Sequence, residues 1–104
     1  QRATRKTSAP RGRLKLAFKV LLHPHAAKAL QKLDEQNRAR IKKTLSEVAE
    51  DPYTCGEPIH SSDFWKTRTG DYRAIYQIDN NKKEVIVLFI GHRKNIYDDF
   101  SKIL

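Results

Sequence analysis

Two arginines, a histidine and a tyrosine occupy the second half of this chain in an order that suits chemistry on a phosphate. Arg73 stands near the start of an alternating run, residues 69–79, while His92 and Arg93 close an apolar run, residues 84–93. Lys66, Arg68 and Trp65 lie just before the first run, and Lys94 and Tyr97 just after the second. Fixed cations hold phosphates, aromatic rings stack bases, and a histidine or tyrosine moves protons. This is the composition of a site for RNA. A ribonuclease that cuts without a metal needs a base for the ribose 2′-OH, cations for the crowded phosphorane, and an acid for the leaving 5′ oxygen. Arginine fits the second role because its planar fork bonds two phosphate oxygens at once. The competing reading is a solvated strand face balanced by Asp63, Asp71, Asp79, Asp98 and Asp99, since charge runs are usually solvated surface. Trp65 and Tyr76 also read as core aromatics, Tyr76 the more so.

Positioning these groups requires a sheet. Residues 69–79 alternate, residues 84–93 are continuously β-branched and aromatic, and Asn80 and Asn81 between them suit a reversing turn, so the pair reads as a hairpin. Antiparallel pairing brings the start of one strand, with Arg73, to the end of the other, with His92 and Arg93. Phe64 to Arg68 has strand alternation too, and Thr69-Gly70-Asp71 is the tight turn into the hairpin, giving a three-stranded antiparallel meander. Leu88 to Ile90 is apolar on both faces, which argues for a central strand.

The first half supplies the cover. Residues 14–22 read as a strand that stops at His23-Pro24. Pro24 suits a first helical turn, and Ala26, Ala27, Leu30 and Leu33 recur at helical spacing. Asp34 is the expected N-cap of a second helix lined by Ile41, Leu45, Val48 and Ala49. Asp51-Pro52 ends it, and residues 53–60 are expected to continue as a loop. Ile96, Phe100, Ile103 and Leu104 share helical spacing, predicting a short C-terminal helix docked on the sheet. The fold class is therefore α+β: an N-terminal strand, a helical hairpin, the meander and a C-terminal helix.

Length and charge set the outer limits. At 104 residues and 38% hydrophobic the chain is one domain with one modest core, residues 14–104, behind a basic arm over residues 1–13. Of the formal +9 charge, residues 1–15 hold six positive side chains and no acid, leaving +3 on the rest. The arm has too little apolar surface to order itself, and reads either as a tail without a role or as a phosphate-binding arm. No apolar run approaches the roughly 20 residues that span a bilayer, and the amino end lacks the apolar core of a secretory signal, so a cytoplasmic protein with no membrane partner is expected. Walker-type loops, GxGxxG, GxSxG and clustered metal-ligand spacings are all missing from the sequence, so no cofactor and no metal are expected. His23 and His25 diverge at a strand-to-helix junction and make a poor ligand pair. Cys55, the single cysteine, reads as incidental.

Three blocks carry a resemblance: Phe18-Lys19-Val20 ahead of the helical hairpin, Trp65-Lys66-Thr67-Arg68-Thr69-Gly70-Asp71-Tyr72-Arg73-Ala74-Ile75-Tyr76, and Gly91-His92-Arg93-Lys94-Asn95-Ile96-Tyr97. Together they resemble the RelE/ParE toxin superfamily of bacterial and archaeal toxin–antitoxin pairs. For RelE-like members the resemblance implies a RelE-like microbial ribonuclease-type fold and a metal-free endoribonuclease that cuts mRNA in the ribosomal A site. It also implies a RelB-like antitoxin that wraps the toxin, with operator DNA bound only through that complex. By position, Arg73 and Arg93 match the phosphate-stabilising arginines, Lys66 and Arg68 the basic pair on the preceding strand, and Tyr97 the C-terminal tyrosine. His92 matches a position held by a catalytic histidine in some branches, and Glu57 resembles a general-base glutamate in another. Trp65, Arg68 and Lys94 are the expected RNA-binding residues. Arg68 stays charged, so a base must come from Lys66, His92 or Glu57. A ParE-like gyrase poison without ribonuclease activity and a non-catalytic nucleic-acid-binding module are the alternatives.

Overall fold

The computed structural model describes residues 17–96 and 101. Five strands form one sheet in the order β1-β5-β4-β3-β2, with β1 at Lys19–Leu22, β2 at Glu57–Pro58, β3 at Phe64–Thr69, β4 at Tyr72–Asp79 and β5 at Glu84–His92. The expected meander is β3-β4-β5, antiparallel throughout. β1 adds in parallel on the far side of β5, from Lys19 opposite Glu84 to Leu22 opposite Val87. That makes β5 an interior strand, which is why its sequence is apolar on both faces.

Two helices cover one face. α1 (Pro24–Gln31) begins with a proline whose missing N–H costs nothing in a first turn, and the His23 Nδ1 accepts the His25 backbone N–H at 3.1 Å as its cap. α2 (Glu35–Glu50) starts where Asp34 accepts the Asn37 backbone N–H at 3.4 Å and its side-chain amide at 2.6 Å. That side-chain hydrogen bond holds the Asp34 carboxyl below its ordinary value. Ala26, Leu30, Ile41, Leu45 and Val48 then meet Ala74, Tyr76, Val85, Val87 and Ile90 in the main core. The opposite face carries a smaller cluster of Ile75, Phe89 and Ile96, flanked by Ile59, Phe64 and Leu88.

The sequence reading needs correction in one place. The segment expected to be a loop over residues 53–60 contains a helical turn, α3 (Pro52–Cys55), and the short strand β2, which pairs with β3 through Glu57 opposite Lys66 and Pro58 opposite Trp65. Pro52 stops α2 and, by the same fixed φ, starts α3. The sheet consequently has five strands, with β2 at its edge. The structure adds a feature the sequence left open: between Ile75 and Tyr76 the β4–β5 register shifts, so that Ile75 faces Phe89 and Tyr76 faces Val87. Leu88 is the extra residue of a bulge, and both Leu88 and Phe89 pack on the face away from the main core.

The arm over residues 1–13, the first residues of the strand expected over 14–22, and Tyr97 lie outside the described residues, as does most of the expected C-terminal helix, of which Ile96 and Ser101 are helical. Among the described residues no helix is long and apolar enough to cross a membrane.

Candidate functional site

Pleating sorts the residues of the meander onto two faces. On β4, Tyr72, Ala74 and Tyr76 belong with the main core, so Arg73 and Ile75 project to the other side. On β3, Trp65 packs with the core and Thr69 reaches the helices, its hydroxyl donating to Thr44 of α2 at 2.7 Å, so Lys66 and Arg68 project with Arg73. The register sets Arg68 directly opposite Arg73. Like charges directly across a ladder are destabilising, and a protein that keeps them there has an anion to put between them or a solvated edge to spread them over.

These cations line one cleft of about 550 Å³. Its walls are Lys66, Thr67, Arg68 and Arg73 from the sheet and Thr54, Cys55, Gly56 and Glu57 from the segment that carries α3 and β2. Arg73 is half-buried, and its Nη1 is sealed from solvent with no hydrogen-bond partner among the described residues. A guanidinium nitrogen in that condition is left with unmet hydrogen-bonding demand, while Arg73 meets the cleft through the rest of its side chain. Glu57 is the one carboxylate lining the cleft among the described residues.

The segment opposite the cations is held from beneath. The Tyr76 hydroxyl donates to the Pro52 carbonyl at 2.7 Å, and the Thr67 hydroxyl donates to the Cys55 carbonyl at 3.1 Å. Burial pushes the Tyr76 phenol far above its ordinary value, with smaller contributions from Cys55 and Asp51, so it stays a donor across the physiological range. The Cys55 thiol donates to the Glu47 carbonyl at 3.3 Å. Partial burial, then the nearby Asp51, Glu47 and Glu50 carboxylates, raise its pKa, which slows the exposed thiol without closing it to reagents.

The other expected site residues fall elsewhere. His92 is paired with Tyr72, on the helix-covered side of the pleat, its ring edge-on to the tyrosine at 5.6 Å, and its Nδ1 accepts the Lys94 backbone N–H at 3.2 Å. The residue opposite Arg73 is Gly91, which places no side chain there. Arg93 follows at the end of β5: its backbone N–H donates to the Asp71 carbonyl at 2.8 Å, and its Nε lies 3.8 Å from the Asp71 carboxylate. It is a diagonal neighbour of Arg73 and does not line the cleft. Lys94 is exposed in the turn that follows. Trp65 is half-buried and meets Tyr53 edge-on at 5.6 Å, so its ring supports the core side of β3. Tyr97 lies outside the described residues. Thr67 and Gly56 were not readable as cleft residues, nor Tyr76 as the support beneath them; Pro52, read as the end of α2, also suits a first helical turn, which is the one local signal for α3.

The sequence pattern of the ParE toxin of type II toxin–antitoxin systems matches residues 20–97, which contain the whole meander and the helical hairpin. The chain therefore belongs to that family, within the RelE/ParE toxin superfamily. It is similar to Toxin RelG of Mycobacterium tuberculosis, at 28% identity over 85 residues that cover 79% of this chain and 98% of that protein. It is equally similar, at 28% over 83 residues, to Toxin RelE of the same organism, covering 77% of this chain and 86% of that one. Among solved structures, the toxin–antitoxin complex RelBE2 of Mycobacterium tuberculosis superposes with a TM-score of 0.71 at 25% identity, over 75% of this chain and 93% of that one. The intact RelBE toxin–antitoxin complex of E. coli gives 0.66 at 30% identity, over 73% and 96%.

Proposed function

We propose that this type II toxin is a ribosome-dependent endoribonuclease that cuts mRNA in the A site by attack of a ribose 2′-OH on the adjacent phosphate. The observation that carries this reading is the cleft in which Lys66, Arg68 and Arg73 converge. Such a site holds a phosphate and offsets the charge of a phosphorane, without the reorganisation that water would need. Glu57 takes the 2′-OH proton, since a carboxylate accepts and it lies across from Lys66. The 2′ oxygen bonds to phosphorus, the bond to the 5′ oxygen breaks, and Lys66 supplies the proton that the leaving oxygen needs. The products are a 2′,3′-cyclic phosphate and a free 5′-OH. Arg73 and Arg68 grip the non-bridging oxygens, Arg93 adds charge from the side, and for Tyr97 the resemblance alone supports a part in orienting substrate. Lys94 contacts the RNA beyond the cleft. A RelB-like antitoxin is the neutralising partner, by analogy with the complexes to which the fold is similar.

Primer extension on an mRNA under translation should show cuts within codons when the purified chain is added, and none without ribosomes. Intact mRNA on active ribosomes would overturn the proposal. The match to the ParE toxin family favours a second reading, a gyrase poison. Inhibition of purified gyrase in a supercoiling assay, with mRNA left whole, would establish that one instead.

A further inference from the structure

One wall of the cleft is a strap, residues 52–58, with little pairing of its own. Its ladder to β3 consists of Glu57 opposite Lys66 and Pro58 opposite Trp65, too short to fix the position of an edge. Beyond it, the Ile59 N–H donates to the Phe64 carbonyl at 2.8 Å, the Thr67 hydroxyl donates to the Cys55 carbonyl at 3.1 Å, and the rest of the support comes from Tyr76 beneath. Tyr76 is completely buried, and its hydroxyl spans from β4 to the Pro52 carbonyl at 2.7 Å. Gly56 sits against that same hydroxyl: a Cβ added there would collide with the Tyr76 Oη and come within 2.7 Å of the Lys66 carbonyl. The strap thus rests on the tyrosine at two points, Pro52 by hydrogen bond and Gly56 by close contact.

We propose that the Tyr76 hydroxyl is the positioning group of the cleft, setting the distance between the strap and β3 and so the place of Glu57 opposite Lys66. The inference rests on the ribonuclease reading for its consequence in catalysis, but not for its structural content. Tyr76 and Arg73 lie three residues apart on one strand and project to opposite faces, so β4 delivers the phosphate-binding arginine to one side and the brace for the facing wall to the other. Loss of the hydroxyl leaves the aromatic ring to fill the core while freeing the Pro52 end of the strap, which the Thr67 hydroxyl still holds at the Cys55 carbonyl. The cations stay where the sheet holds them.

Tyr76→Phe tests this in the full chain. Because Cys55 is the single cysteine and lies on the strap, its alkylation by iodoacetamide reports strap position whether or not RNA is cut. The expected result is at least a threefold faster alkylation at a temperature where far-UV circular dichroism shows the fold intact. The single-turnover cleavage rate should fall about tenfold, while the affinity for a short single-stranded oligoribonucleotide, carried by Lys66, Arg68 and Arg73, changes by less than about threefold. Leu45→Ala, a core truncation on α2, is the control for general destabilisation and should move neither the alkylation rate nor the ratio of cleavage to binding. Gly56→Ala should reproduce the Tyr76→Phe pattern from the other side of the contact, and decides the matter if Tyr76→Phe does not fold. Unchanged Cys55 reactivity in both variants, or an equal rise in Leu45→Ala, would overturn the proposal. If the wild type cleaves no RNA, the ribonuclease reading fails while the Cys55 comparison still stands or falls alone.

Discussion

Arg73 and Arg93 are the same residue type on neighbouring strands, diagonal across one ladder, yet the protein treats them differently. Arg73 stands near the start of β4, the central strand of the meander, half-buried, with a sealed nitrogen and another arginine directly opposite. Arg93 stands where β5 leaves the sheet, its side chain 56% exposed, beside an Asp71 carboxylate that is 68% exposed. The first is placed by the backbone of two strands and has no freedom to avoid its neighbour. The second has solvent and a counter-ion at 3.8 Å, an arrangement that contributes under about 1 kcal/mol and weakens with salt. The protein therefore holds one cation fixed on the sheet and one tethered beside a counter-ion at the end of β5.

The largest effect should come from the fixed member. Arg73→Ala is expected to lower single-turnover cleavage about 100-fold, roughly 2.7 kcal/mol of transition-state stabilisation. Thermal stability should change by less than about 1 kcal/mol, because removing Arg73 also relieves its opposition to Arg68. Primer extension at matched ribosome occupancy and a thermal melt measure the two sides. If Arg73→Ala kept full activity, the cleft would be a solvated charged face, as the acidic residues of the sequence alone allowed.

Arg93→Ala should cost less, about tenfold or roughly 1.4 kcal/mol, because its position is not preorganised. The comparison sharpens when Asp71→Asn is added: freed from its partner, Arg93 should reach the phosphate more easily, raising cleavage by at most about fivefold at low ionic strength and by nothing at high salt. The Arg93→Ala, Asp71→Asn double variant should then match Arg93→Ala alone. An Arg93→Ala loss exceeding that of Arg73→Ala would reverse the assignment of fixed and tethered roles.

How much of this could be read beforehand divides along physical lines. The meander, the helical hairpin, the Asp34 cap and the buried Tyr76 follow from short-range signals: alternation, 3.6-residue spacing, a capping carboxylate and turn residues. The juxtaposition of Lys66, Arg68 and Arg73 follows from a tight turn at Gly70, whose φ of +60° suits glycine and fixes the β3–β4 register. The bulge at Leu88 was hidden, because Leu88, Phe89 and Ile90 are all apolar and the alternation that would show a slip of phase is missing. Without it, the faces of Gly91 and His92 could not be assigned. The strap was also hidden: four residues of helix and two of strand carry too little periodicity to read, and the clash that demands glycine at position 56 involves a tyrosine twenty residues away in the chain.

That hidden phase bears directly on His92, the residue whose placement before an arginine most strongly invited a catalytic role. Its partner across the ladder is Tyr72, so its ring lies on the pleat that faces the helices, and its Nδ1 already accepts the Lys94 N–H that shapes the turn. His92→Asn is the informative variant, since an asparagine carbonyl can accept the N–H two residues on and preserve the turn while removing the imidazole. Cleavage should change by less than about twofold, which is under roughly 0.4 kcal/mol. The pH–rate profile between about pH 5.5 and 8, the range in which an imidazole changes charge, should keep its shape. A loss near 100-fold with the fold intact, or disappearance of one limb of that profile, would mean that the imidazole handles a proton of the reaction. The acid–base pair would then sit at the end of β5, beside the tethered Arg93 and outside the cleft of the fixed one.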